Sequence, residues 1–206
     1  MASPNLPLVS LMYPTLIAGP FHREGWVYEE QYDGCRMVAY KDGTAVRLIN
    51  QAGQDQAQRF PELVAALGAL PARTLILDGE VCIFDPQLIS RFEWLWRRPT
   101  GETATPALFM AFDCLYARRK DLRARALRVR RQVLEAEVEG RHHVLPARRL
   151  ADEGLTAWAE VLARGYEGLV AKDPESRYVP GRTLAWLKVK QPHYRERERG
   201  WESKRR

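Results

Sequence analysis

The sequence predicts an α+β domain built from mostly antiparallel sheets with flanking helices. Three observations predict it. Short β-rich runs are punctuated by Asp33-Gly34, Asp42-Gly43 and Asp78-Gly79, the chemistry of tight turns between neighbouring strands. Helical periodicity is confined to residues 61–70, 121–139 and 153–164, with no βαβ rhythm. Neither G-x-G-x-x-G nor G-x-x-x-x-G-K-[ST] occurs, so the two common Gly-rich phosphate loops are not supported.

Taken in order, Trp26–Gln31 reads as a strand running into the turn at Asp33-Gly34. Arg36–Tyr40 and Ala45–Leu48 are short strands joined by Lys41-Asp42-Gly43-Thr44. Pro61–Leu70 is a helix with proline in its first turn. Thr74–Leu77 and Glu80–Phe84 are β-rich and flank Asp78-Gly79, and the apolar run Ala107–Tyr116 is a buried strand. In Asp121–Glu139 the residues Leu122, Leu127, Val133, Leu134 and Val138 fall near helical spacing. The arginines from Arg123 to Arg131, with Arg118 and Arg119, read as a solvated face rather than a DNA grip. Glu153–Arg164 is an amphipathic helix closed by Gly165. Tyr166–Lys172 and Thr183–Val189 are strands, and the charged stretch from Gln191 to Arg206 lacks apolar periodicity and is expected to be loose.

Composition narrows the function classes. The 206 residues suit one large domain or one and a half, and 46% hydrophobic with 28% charged residues is the balance of a globular chain with a real core. No apolar run reaches the roughly 18–20 residues of a membrane helix, and Met1–Asn5 lacks a signal-peptide pattern. Cys35, Cys82 and Cys114 stand singly, against a disulfide framework or a structural zinc site and in favour of a reducing, cytoplasmic compartment. The net charge of +6 permits a polyanionic partner without requiring one.

Five polar-centred blocks follow one another, each at an expected strand end. They are Glu29-Glu30-Gln31-Tyr32-Asp33-Gly34-Cys35-Arg36, Leu77-Asp78-Gly79-Glu80, and Phe109-Met110-Ala111-Phe112-Asp113-Cys114-Leu115-Tyr116; then Glu167-Gly168-Leu169-Val170-Ala171-Lys172 and Trp186-Leu187-Lys188-Val189-Lys190. Each alone reads as a turn, a strand face or core. In this order they resemble the covalent nucleotidyltransferases, and most closely the adenylation domain of ATP-dependent DNA ligases of the bacterial end-joining type. The resemblance runs over residues 8 to 190 and implies two packed sheets with an ATP cleft between them. It implies ATP and Mg2+ as cofactors and nicked or broken duplex DNA as partner, in the bacterial cytoplasm. Domain bounds of 1–190 for the adenylation domain and 191–206 for a tail follow from it.

The family's chemistry gives these residue types their meaning. A neutral lysine amine attacks the α-phosphate of ATP, pyrophosphate leaves, and the AMP then passes to a DNA 5′-phosphate that the 3′-hydroxyl displaces. Nearby cationic lysines lower the pKa of that amine. By resemblance, Glu29 accepts from the adenine amino group, Phe112 stacks on the base, and Tyr32 lines the cofactor site. Arg36 meets the ribose or 5′-phosphate region. Glu80 lies by the ribose or a metal, Glu167 helps hold metal, and Lys172 sits near the phosphate or base. Lys188 and Lys190 meet the α-phosphate, where charge grows.

The chain departs from the family at three points. The first motif is Lys-x-Asp-Gly-x-Arg, and Gln31 stands in the lysine's place. An amide nitrogen is conjugated to its carbonyl and is no nucleophile, and Lys41, across a hairpin turn, offers no substitute. Second, Asn50-Gln51-Ala52-Gly53 aligns with Ser-Arg-Asn-Gly, which replaces an arginine near the AMP phosphate by Gln51. Third, the family's oligonucleotide-binding barrel does not follow Lys190, which reads either as a trimmed domain or as a separately encoded one, the latter implying a separate oligonucleotide-binding or repair protein as partner. A laboratory substitution explains Gln31 but not Gln51, whereas natural divergence explains both. The expectation is therefore nucleotide binding without self-adenylation. A non-catalytic module for DNA ends or partners, and an RNA ligase-like transferase, are the alternatives.

Overall fold

The computed structural model describes residues 6–97, 105–192 and 194. Two sheets face each other. The first has the order β1-β10-β9-β2, built from β1 (Met12–Leu16), β2 (Val27–Gln31), β9 (Gly168–Lys172) and β10 (Gly181–Lys190). The second has the order β4-β3-β5-β6-β7, from β3 (Cys35–Asp42), β4 (Ala45–Asn50), β5 (Thr74–Cys82), β6 (Leu108–Ala117) and β7 (Lys120–Asp121). The short β8 (Val144–Pro146) lies beside β6. Pairing is antiparallel except at β1–β10 and β6–β8.

Strand alternation explains the layering, because successive side chains serve opposite faces. Met37, Ala39, Leu75 and Leu77 pack beneath α1 (Pro61–Gly68) and α2 (Leu127–Val138). Their neighbours Val38, Tyr40 and Ile76 turn the other way and join Met12, Tyr178 and Trp186 between the sheets. Tyr28, Leu169, Ala171 and Val189 complete the stack against Ala157 and Val161 of α3 (Gly154–Arg164). The α3 ends are as expected. The Glu153 carboxylate accepts from the N–H groups of Leu155 and Thr156, and Gly165 closes the helix at φ 73°.

Buried ion pairs tie the sheets together. The Arg36 guanidinium on β3 donates to Asp78 Oδ1 at 3.0 Å and Oδ2 at 2.7 Å, and to the Met12 carbonyl of the other sheet at 2.8 Å. Tyr178 donates to Asp78 Oδ2 at 2.6 Å and accepts from the Met12 N–H. Arg130 on α2 donates to both oxygens of Asp113 on β6, at 2.7 and 2.8 Å, and to the Ser176 carbonyl at 2.8 Å. Both Arg130 and Asp113 are 0% exposed.

Four expectations are corrected. Asp78-Gly79 is no turn: β5 runs unbroken from Thr74 to Cys82. Asp78 is the buried partner of Arg36, and Gly79 makes room for Phe109, whose ring carbon Cε1 would stand 2.6 Å from an added Cβ. The helix expected over 121–139 is shorter, because Lys120–Asp121 pairs with β6 and Asp121 binds the Arg123 N–H in a turn. Arg130 and Arg131 are not on a solvated face but buried. The loose tail does not begin at Gln191, whose N–H donates to the Glu167 carbonyl and whose side chain donates to the carbonyls of Val161 and Tyr166. The rest of the tail expectation, on residues 193 and 195–206, lies outside the described residues.

Candidate functional site

Strand β2 alternates, so Glu29 and Gln31 share one face while Tyr28 and Glu30 serve the other. β9 lies between β2 and β10, with Gln31 and Lys190 both in register with Gly168. A side chain at Gly168 would collide with the Val189 carbonyl at 2.1 Å and Gln31 Oε1 at 2.9 Å, so glycine keeps this crossing open. Beside it, the Glu167 carboxylate is 2% exposed. Gln31 Nε2 donates to Glu167 Oε1, and the Lys190 ammonium stands 3.0 Å from the same oxygen. Two donors on one acceptor place the Lys190 amine beside the Gln31 amide. Gln31 Oε1 is buried with no hydrogen-bond partner among the described residues. The pocket around residue 31 thus satisfies a donor and leaves an acceptor stranded, which is the preference of an ammonium rather than an amide.

A second cluster lies four residues along β9. Lys172, 2% exposed, donates to Glu29 Oε2 at 2.6 Å. Arg131 reaches from α2 to Glu29 Oε1 at 2.6 Å and also donates to the Ala147 carbonyl. Burial lowers the Lys172 pKa although Glu29 opposes the shift. The Lys172 amine lies 4.7 Å from the centre of the Phe112 ring and 4.4 Å from that of Trp186. The Arg36 guanidinium approaches the same Phe112 ring at 5.3 Å. Glu80 is the cross-strand partner of Arg36, and Lys188, half-buried, pairs across to Val170.

Of the residues expected in the site, Gln31, Glu167 and Lys190 converge on one oxygen, and Glu29, Lys172 and Phe112 form one contact group with Arg36 nearby. Tyr32 sits in a core cluster with Phe84 and Met110, and its hydroxyl accepts from the Arg148 N–H at 2.8 Å. Lys41 lies at the far end of β3 and donates to the Ala72 carbonyl, in agreement with its exclusion as a substitute nucleophile. Arg131 is a further member of this cluster, and the helical spacing Leu127, Arg130, Arg131, Leu134, Val138 is the signal that puts it on the buried stripe. Beyond Gln31, Gly34 lets the chain pass Val81, Glu80 and Cys82 with no room for a Cβ, and Ser90 Oγ accepts from the Asp33 N–H at 2.8 Å. A groove of about 610 Å3 opens there between Asp33, Asp85, Arg91, Trp94 and Tyr194, with the Tyr194 hydroxyl donating to Asp33 at 3.1 Å.

Residues 15–190 match the family model described as ATP dependent DNA ligase domain. The chain belongs to this family. It is 33% identical over 166 residues to the multifunctional non-homologous end joining DNA repair protein LigD of Mycobacterium tuberculosis, covering 80% of this chain and 21% of that protein. It is 31% identical over 205 residues to DNA ligase C1 of Mycolicibacterium smegmatis, covering 92% and 58%. A solved structure of mycobacterial DNA ligase D complexed with ATP and MES superposes with a TM-score of 0.76 at 29% identity, over 88% of this chain and 60% of that one. The chain therefore spans about a fifth of LigD and little more than half of DNA ligase C1. The adenylation-domain fold expected from the sequence is the observed one, with the motif residues on or beside β2, β9 and β10 of one sheet and β3, β5 and β6 of the other.

On the opposite face of β2 from Gln31, burial pushes the Glu30 carboxyl up from 4.5 to about 8, outweighing Arg148, whose Nη1 lies 3.0 Å away. A carboxyl held higher in the folded state stabilises the fold below its unfolded pKa and loses that contribution as pH rises through about 8. Domain stability should therefore decline between roughly pH 5 and pH 8, by up to about 1.4 kcal/mol per unit from this group. Denaturant titrations of Glu30→Gln across that range should lose the slope. Parallel profiles for variant and parent would assign the pH dependence elsewhere.

Proposed function

We propose that this ATP-dependent DNA ligase domain binds ATP with Mg2+ in the cleft between its sheets, acts at nicked or broken duplex DNA, and forms no lysyl-AMP. The observation that carries the reading is the amide of Gln31 on the Glu167 oxygen that Lys190 shares. It stands where the family motif has its nucleophile. Around it the groups for binding remain: Phe112 and Lys172 by the base position, Glu29 as an acceptor for a base amino group, and Lys188 and Lys190 on one face of β10 for the α-phosphate. Mg2+ takes one or two carboxylates plus substrate phosphates, so Glu80 and Glu167 suffice as its protein donors, and when bound it offsets phosphate charge. No helix among the described residues is long and apolar enough to cross a membrane, and the three cysteines are free thiols, which supports a cytoplasmic setting.

Incubation with ATP and Mg2+ followed by intact mass measurement under denaturing conditions tests this. The mass should be unchanged, while ATP raises the melting temperature by binding the folded state alone. One added adenylyl group per chain would sink the proposal. One observation favours a second reading. Both Glu29 oxygens are already taken by Lys172 and Arg131, which suits a closed, non-catalytic module for DNA ends or partners. That reading requires no thermal shift with ATP.

A further inference from the structure

We infer that the turn between β6 and β7, together with Arg73, is a phosphate-backbone contact for duplex DNA outside the cleft. The turn is two residues long, Arg118 and Arg119, closed by the pair Ala117 and Lys120. Both arginines adopt left-handed backbone, with φ of 50° and 66°. A hairpin turn of this hand is cheapest with Asn-Gly or Asp-Gly, because a Cβ is strained there. Two adjacent arginines are held in it by Thr74, whose carbonyl accepts from the Arg118 N–H and whose hydroxyl accepts from the Arg119 N–H, both at 3.0 Å. Strain retained by surrounding structure is a mark of a functional surface rather than of a neutral one.

The charge at this end of the sheet points to the ligand. Arg73, Arg118, Arg119 and Lys120 are all exposed. Arg118 is ion-paired with the buried Glu137 at 2.9 Å. Arg73, Arg119 and Lys120 have no ion pair among the described residues. The acids nearby are Glu137, Asp121, which Arg123 holds at 2.6 Å, and Asp42 at the neighbouring turn. The four basic side chains have no large apolar residue among them, so the patch lacks the anchor a protein interface needs. What remains is positive charge, which the phosphates of a duplex complement.

The patch is distinct from the cleft, since Thr74 and Glu80 are six steps apart on one strand, about 20 Å. A duplex engaged at Glu80 would carry its flanking phosphates past that distance within about six base pairs. The inference rests on the reading that duplex DNA is the partner. The test is fluorescence anisotropy with a labelled nicked duplex and the full chain over a salt series. Arg73→Gln/Arg119→Gly/Lys120→Gln removes three cations and spares the Arg118–Glu137 pair. The log–log salt slope should fall by about 3, with binding weaker on the order of 10²-fold near 0.1 M salt. The melting temperature should hold or rise, because glycine relieves the strain at residue 119. Arg119→Gly alone should lower the slope by about 1 with no loss of stability. A slope unchanged from a parent that does bind refutes the patch and leaves the DNA reading standing. A parent that binds no duplex at low salt overturns both.

Discussion

Replacing Gln31 by lysine should turn a chain that takes no AMP into one that labels itself slowly. The local geometry favours the exchange. Gln31 Oε1 is buried without a partner, a defect that costs about 1–3 kcal/mol and that an ammonium or amine does not have. Glu167 is already placed to orient a donor at this point, and Lys190 beside it favours the neutral, nucleophilic form of a second amine. One deficit would persist. Gln51 lies in the exposed turn after β4, at the end of the second sheet that also carries Arg36 and Glu80. It supplies no charge to the α-phosphate. Losing one charge-assisted contact to growing negative charge costs on the order of 2–4 kcal/mol, or roughly 10² to 10³ in rate. Gln31→Lys should therefore adenylate slowly, and adding Gln51→Arg should accelerate it by about that factor. Single-turnover labelling with radiolabelled ATP measures both. If the double variant stays unlabelled while ATP still shifts its melting temperature, residue 31 is not what blocks the first step.

The legible part of this structure was whatever short-range chemistry encodes. Asp42-Gly43 between two β-rich runs gave the β3–β4 hairpin, and Glu153 with Gly165 marked the two ends of α3. Asp78-Gly79 misled for the converse reason. The same dipeptide that makes turns also serves a strand interior when a ring from the next strand needs the glycine's space and a buried arginine needs the aspartate. Phe109 and Arg36 are those partners, and neither is local to residues 78–79.

The order of the five blocks pointed to the family that residues 15–190 match. Their pairwise geometry was not readable, since a single sequence does not say which carboxylate a distant cation meets. Glu29 illustrates this: its partners Lys172 and Arg131 lie more than a hundred residues away. The arginines of α2 read as solvated because the stretch around them is densely charged. Their spacing with Leu127 and Leu134 put them on the apolar stripe all the same. The tie-breaker would have been Asp113, an acid in the middle of the apolar run Ala107–Tyr116, which demands a buried cation.

That pair carries the largest expected loss of stability. Arg130→Met keeps the length and apolar stem of the side chain but strips Asp113 of both hydrogen bonds at 0% exposure. It also removes the donor to the Ser176 carbonyl. Breaking one side of such a pair costs about 3–5 kcal/mol, because the remaining charge stays buried without compensation. Typical domain stabilities are about 5–15 kcal/mol, so a third or more of the total is at risk. The damage should also travel to the cleft. Ser176 belongs to the segment that sets Tyr178 on Asp78, and Asp78 fixes Arg36 against Phe112. Urea titrations should show a lower midpoint at unchanged slope, and the ATP thermal shift should shrink. The double variant Arg130→Met/Asp113→Val should recover most of the loss, since a buried pair exchanged for apolar groups is often neutral or better. If Arg130→Met alone shifts the urea midpoint by no more than an exposed Arg119→Gln control, the pair adds nothing to the fold.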